Sequence, residues 1–150
     1  MRRFADPEKQ SLADLGALYA RVDAAHAGFS CPNRAACCQL AQTGREPYLW
    51  HLEWKLLERR IAERGGRVPP PREDGGCRFL DESGRRCTVY QERPFGCRTF
   101  GCELATGMNR PLREKVREHC RELTGLAERF DPEDGGPRPL SRWLEAPCGR

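Results

Sequence analysis

The sequence predicts an α+β chain, mainly helical, with about three helices packed around a cysteine-rich loop and hairpin region. Apolar residues recur at helical spacing in three separate stretches. Between the second and third lies a run rich in Cys, Gly and Pro that reads as two short strands and tight turns. There are nine cysteines, most of them outside the helical stretches, so the sulfur sits where loops can present it.

A length of 150 residues fits one domain. It is expected to span 1–150, with a cysteine-bearing core at about 31–120 and a tail at about 131–150. Only 38% of residues are hydrophobic and 32% are charged, with 15 Gly and 12 Pro. That composition gives a thin core and much loop, which gains from cross-links.

The first helix starts at Asp6, a capping residue, with Pro7 at the first helical position. Leu12, Leu15, Tyr19, Val22, His26 and Phe29 form its apolar face, and it is expected to stop near residues 28–30. His26 on that stripe reads as a core or edge histidine. Pro32 and Asn33 make the following stretch a turn, presenting Cys31, Cys37 and Cys38 from a loop.

A second helix is expected over about 47–64, with Leu49, Trp50, Trp54, Leu57 and Ile61 on its apolar face and Gly65-Gly66 ending it. His51 and Glu53 fall off that face and read as exposed. Residues 67–76, with three prolines and two glycines, form a stiff connector.

Residues 77–80 and 86–90 read as two short strands. A turn over Glu82-Ser83-Gly84 puts Gly84 at a left-handed position. That register pairs Phe79 with Cys87 and sets Leu80 near Arg86. It leaves Cys77 and Cys87 as same-face diagonal neighbours roughly 7–8 Å apart.

A third helix is expected over about 109–130, with the stripe Leu112, Val116, Cys120, Leu123, Ala127 and Phe130. On that stripe Cys120 reads equally as a ligand or as a small buried hydrophobe. His119 points off it. Residues 139–144 suggest a short helical turn that docks Trp143 on the body, and Cys148 reads as a free terminal thiol.

The basic start has no apolar run behind it, and no stretch is long enough to span a membrane. The expected compartment is the cytoplasm, where thiols stay reduced, so the cysteines point to metal rather than to disulfides. Thiolate sulfur suits zinc and iron–sulfur centres, each wanting about four ligands. The candidate ligands are Cys31, Cys37, Cys38, Cys77, Cys87, Cys97, Cys102 and Cys120. Side chains of the vicinal pair Cys37-Cys38 diverge, which favours a larger cluster over a single small ion. Arg98, directly after Cys97, is a candidate to offset cluster charge or donate to sulfur.

The formal charge is +4, and the arginines are interleaved with Glu. That pattern reads as a mixed-charge surface rather than a nucleic-acid footprint. No nucleophile–base–acid set, phosphate loop or nucleotide fingerprint is present. The expected partners are the metal and a protein or redox partner. A zinc-stabilised module contacting protein or RNA is the alternative.

Cys31-x₅-Cys37-Cys38, Cys77-Arg-Phe-Leu and Cys87-Thr-Val-Tyr-x-x-Arg93-Pro94-x-x-Cys97-Arg98-x-Phe100 together resemble the YkgJ-type cysteine-cluster family, a zinc- or iron-chelating domain with a CxxCxxCC opening. The likeness covers roughly residues 31–120, and Cys120-Arg121-Glu122 is similar to a later family cysteine. It implies metal binding, with iron–sulfur chemistry in some members. One position departs: Arg34 stands where the second cysteine of the opening would fall. Either that site takes three cysteines and another ligand, or Cys102 fills the vacancy.

Overall fold

The computed structural model describes residues 6–26, 38, 44–99 and 110–145. Along the chain these form α1 (Pro7–Ala25), β1 (Tyr48–Leu49), α2 (His51–Glu63), a 3₁₀ turn (Tyr90–Glu92), α3 (Phe95–Arg98), α4 (Arg110–Phe130), β2 (Arg138–Pro139) and α5 (Leu140–Glu145). The described residues are mainly helical with one small sheet, as the α+β class predicts, but that sheet pairs β1 with β2, and the strands expected at 77–80 and 86–90 meet only in a single bridge.

Asp6 caps α1 by accepting the Glu8 N–H at 3.1 Å. Leu12, Leu15, Leu18, Tyr19 and Val22 are its buried face. Phe29, placed on that face by the sequence, lies outside the described residues.

Helix α2 begins later than its periodicity suggests. Tyr48 and Leu49 pair antiparallel with Pro139 and Arg138 instead, and the Leu140 N–H donates to the Pro47 carbonyl at 2.9 Å. Pairing with a segment some ninety residues away outweighs local helical preference there. The C-terminus of α2 is closed by Gly66 N–H to Ile61 O (3.0 Å) and Gly65 N–H to Ala62 O (3.2 Å). Both glycines have positive φ, as this paired cap requires.

Two apolar clusters lie on either side of α2. Trp54, Leu57 and Ile61 face one, together with Phe79, Leu80, Val89, Leu140 and Trp143. Leu52 faces the other, built from α1 residues with Phe95, Leu123 and Leu126. Trp143 docks as expected. Its ring stacks on Trp54 at 5.9 Å, and its Nε1–H donates to the Leu49 carbonyl at 3.1 Å. His51 is half-buried rather than exposed: it stacks on Trp143 at 5.7 Å, and its Nδ1 pairs with Asp131 at 2.7 Å.

Helix α4 keeps most of its predicted stripe, with Leu123 and Ala127 buried and Val116 and Phe130 packed against the second cluster, and departs from it at Cys120. His119, Leu123, Leu126 and Ala127 are buried, while Cys120 is exposed. The buried set steps by four and three residues, a narrow seam suited to packing against α1. Among the described residues no helix is long and apolar enough to cross a membrane.

Candidate metal centre

Three candidate thiols from separate stretches reach the first apolar cluster. Cys77 is 9% exposed within it, and Cys38 and Cys87 pack against it. The Cys77 N–H donates to the Cys38 carbonyl at 2.7 Å, joining the two chains directly.

The hairpin reaches this place by a different route from the predicted one. Leu80, not Phe79, stands opposite Cys87 in a single antiparallel bridge. Thr88 N–H donates to Phe79 O at 2.7 Å and Asp81 N–H to Arg86 O at 2.8 Å. The turn is therefore one residue longer than expected. Leu80 N–H donates back to Cys77 O at 3.0 Å, so Cys77 heads a turn rather than a strand. Two-fold alternation of faces does not apply to it, and both thiols still meet the same cluster.

Asp81 explains the longer turn. Its Oδ1 accepts from Ser83 Oγ (2.7 Å), Arg85 N–H (3.1 Å) and Arg86 N–H (3.3 Å). The Ser83 hydroxyl, then these amides, hold its carboxyl below the usual range. Gly84 takes the left-handed conformation predicted for it, φ +70°. Arg72 fastens the connector to this turn, donating to Asp81 O at 2.7 Å and to Asp74 Oδ1 at 3.0 Å. The Arg72 contact is the chief reason the Asp74 pKa falls to about 2. Gly76, beside Cys77, is tightly enclosed: a Cβ there would lie 3.0 Å from Asp74 Oδ1 and 3.2 Å from Leu80 Cδ1, so both side chains would have to give way slightly.

Cys97 sits elsewhere, on the single turn of α3. Pro94 precedes this helix, and its carbonyl accepts the Cys97 N–H at 2.9 Å. Cys97 and Gly96 line a cavity of about 450 Å³ with Glu46, Pro47 and Tyr48. Arg98 is 7% exposed and buried, not a surface arginine. Its Nε donates to Arg93 O at 2.8 Å, its Nη1 to Asp23 Oδ2 at 2.6 Å and its Nη2 to the Gln91 carbonyl. The guanidinium lies 3.9 Å over the Tyr19 ring. Arg98 thus clamps the turn bearing Cys97 onto α1.

Glu53 holds the same turn from the α2 side. It is 2% exposed, against the expectation of a solvent-facing residue. Its Oε1 accepts from Tyr19 Oη–H and Phe95 N–H, both at 2.8 Å, and its Oε2 from Trp50 N–H at 3.0 Å. Burial raises its pKa, opposed by these three donors. Burial, then the facing Glu53 charge, raises the Tyr19 phenol well above its ordinary value. The usable sequence signal for Glu53 was its place in the first turn of α2, where a Glu reaches back to the N-cap N–H. Apolar periodicity hid it.

Cys31, Cys37 and Cys102 lie outside the described residues, as does Cys148. Among the described residues no three His, Cys, Asp or Glu side chains are grouped closely enough to hold a metal ion. The candidate donors at the first apolar cluster are the thiols of Cys38, Cys77 and Cys87, and thiol sulfur is a donor that suits zinc or iron.

A family model described as "CxxCxxCC: Putative zinc- or iron-chelating domain" matches residues 30–121. The chain belongs to this family. The match covers every described candidate cysteine of the CxxCxxCC domain, from Cys38 to Cys120. No curated protein and no solved structure matches the chain. Membership of the CxxCxxCC family supports metal binding in general and leaves zinc and iron as the two named occupants.

Proposed function

We propose that the chain works as a single metal-binding unit over residues 1–150, holding an iron–sulfur cluster of the [4Fe–4S] type on cysteine thiolates. Its role would be electron transfer or cluster handling with a protein redox partner, in a reducing compartment such as the cytoplasm. One observation carries this reading. Cys38, half of a vicinal pair, is hydrogen-bonded through its backbone to buried Cys77, and both meet Cys87 at one apolar cluster. Adjacent side chains diverge, so a pair of neighbouring cysteines suits a centre with several metal positions. Cys31 and Cys37, and Cys97 or Cys102, are the further thiols available to complete it. Such a cluster, when bound, supplies one-electron chemistry. The protein's part is to supply thiolates, keep water from Cys77 and fix the two turns.

The family description names zinc beside iron, which favours a structural zinc module as the second reading. Metal and sulfide analysis with a UV–visible spectrum, on full-length protein purified without oxygen, separates the two. Brown protein absorbing near about 400 nm with matched iron and sulfide supports the cluster. Colourless protein with stoichiometric zinc replaces it with the module. Folded, metal-free protein overturns both.

A further inference from the structure

The 2.7 Å bond from the Cys77 N–H to the Cys38 carbonyl limits how far apart these two cysteines can stand. Backbone bonds of ordinary length, angled in any direction about that contact, keep the two Cα atoms within about 6.6 Å of each other. A disulfide spans Cα separations of roughly 4.4–6.8 Å, provided the side chains do not point apart. Cys77 belongs to the first apolar cluster and Cys38 packs against the same cluster, so both side chains leave their joined backbones towards one place. Cys87 reaches that cluster too, but its own backbone bridge is to Leu80.

The two thiols differ in access. Cys77 is 9% exposed, whereas Cys38 is half-buried. An oxidant arriving from solvent therefore meets Cys38 first, with Cys77 behind it as the second thiol. In a reducing compartment a bridge of this kind is transient and redox-sensing rather than a permanent staple.

We propose that Cys38 and Cys77 are a peroxide-sensitive thiol pair, whose oxidation to a disulfide withdraws both sulfurs from the metal centre. The Cys38 sulfur attacks one oxygen of hydrogen peroxide. The O–O bond breaks, Cys38 becomes a sulfenic acid, and the other oxygen leaves as water with the Cys38 proton. The Cys77 sulfur then attacks the Cys38 sulfur. The S–O bond breaks, an S–S bond forms, and the hydroxyl leaves as a second water with the Cys77 proton. Two thiols are oxidised and one peroxide is reduced to two waters. A dithiol reductant reverses the bridge by exchange. The bridge closes a loop that holds β1, α2 and the proline-rich connector. A zinc or iron–sulfur centre wants about four ligands, so removing two releases it. That release rests on the cysteine-bound centre proposed for this chain, while the disulfide itself does not.

The test uses full-length protein, stripped of metal under reductant and then freed of the reductant. It receives a stoichiometric amount of hydrogen peroxide, is blocked with N-ethylmaleimide and is digested without reduction. Mass spectrometry is expected to find the Cys38 peptide linked to the Cys77 peptide in wild type and in C37S, and to lose that link in C38S. Zn²⁺ titration against a chromophoric chelator reads the metal side. Reduced protein is expected to take up Zn²⁺, oxidised protein to lose that uptake, and dithiothreitol to restore it. Zn²⁺ uptake by reduced protein with both cysteines still alkylated after peroxide overturns the switch and leaves the metal centre standing. Linkage of Cys77 to any other cysteine overturns it as well. A Cys38–Cys77 link in a chain that takes up no Zn²⁺ when reduced, or as much when oxidised, upholds the disulfide and overturns the release of metal.

Discussion

Replacing Glu53 tests whether a buried carboxylate, rather than apolar packing alone, holds α1, α2 and the Cys97 turn together. In E53A, Tyr19 Oη–H and Phe95 N–H lose their acceptor, and both bonds are buried. Stranding a buried donor costs about 1–3 kcal/mol. The Trp50 N–H is only part-buried, so water takes over there at little cost. Against the loss stands relief of the carboxylate's own burial, the leading cause of its raised pKa. The expected net loss is about 2–4 kcal/mol, a large share of the ~5–15 kcal/mol that holds a domain of this kind together. E53Q keeps one oxygen for Tyr19 and Phe95 but turns an amide N–H toward the Trp50 N–H, at a cost of about 1–2 kcal/mol. Y19F removes one donor and costs about 1 kcal/mol.

Urea unfolding gives these values from midpoints at unchanged m. The pH dependence gives a second readout. Because its folded pKa is raised, Glu53 holds its proton more tightly in the folded state. Stability from this group is full below the ordinary carboxylate value. It falls as pH rises through the raised value and then levels off. E53Q should remove that segment of the profile. If E53A lies within about 0.5 kcal/mol of wild type, the range expected of ordinary surface positions, the polar tie contributes nothing and the reasoning fails.

Arg98 makes three bonds to Arg93, Asp23 and Gln91, so R98K, which keeps charge but not the planar fork, should lose most of the roughly 3 kcal/mol lost in R98A; equal stability of R98K and wild type would refute the clamp. W143A should cost about 3–5 kcal/mol, since the ring stacks on Trp54 and His51 and donates to Leu49, read as a fall in urea midpoint. The His51 contact, chiefly, holds Asp131 below the usual carboxylate range. That pair contributes stability above the ordinary value and loses it as pH falls through the lowered one, so D131N should flatten the acid limb of an unfolding-versus-pH curve. In metal-loaded protein, of the described cysteines exposed Cys120 should be alkylated first and buried Cys77 last, by mass spectrometry of a time course. Early modification of Cys77 would contradict its protected place.

The helices were legible because their signals are local. Asp6 and Pro7 start α1, Gly65-Gly66 end α2, and apolar spacing marks the faces. The start of α2 was not legible, because Tyr48 and Leu49 are held by Arg138 and Pro139, and no local pattern reports a partner so far along the chain. The hairpin register slipped by one because Asp81 binds two backbone amides across the turn and lengthens it. Cys38, Cys77 and Cys87 all reach one apolar cluster from stretches far apart in the chain, and only the Cys77 N–H to Cys38 carbonyl bond joins two of them directly. Along α4 the stripe Val116, Leu123, Ala127 and Phe130 was legible, while at 119–120 the buried position falls to His119 and Cys120 is exposed, a choice between neighbours that the spacing of the stripe does not resolve. Glu53 was misjudged because charge is read as exposed until its partners are seen, and no local pattern reports the contacts of Arg98 with Asp23 and Tyr19.

Those two residues also decide how the parts of the site depend on one another. α2 is the shared wall, with Trp54, Leu57 and Ile61 turned to the cluster that receives Cys77 and Cys87, and Leu52 turned to α1. Apolar contacts alone would let the α3 turn slide on this wall, because they carry no direction. Glu53 stops it by accepting the Phe95 N–H at the start of α3, and Arg98 stops it at the other end by reaching Asp23 on α1. Cys97 lies between these two ties. Its position is therefore set by charge-assisted bonds, whereas Cys77 is set by burial and a backbone bond to Cys38. A change at Glu53 or Arg98 should loosen Cys97 while leaving the Cys38–Cys77–Cys87 grouping in place.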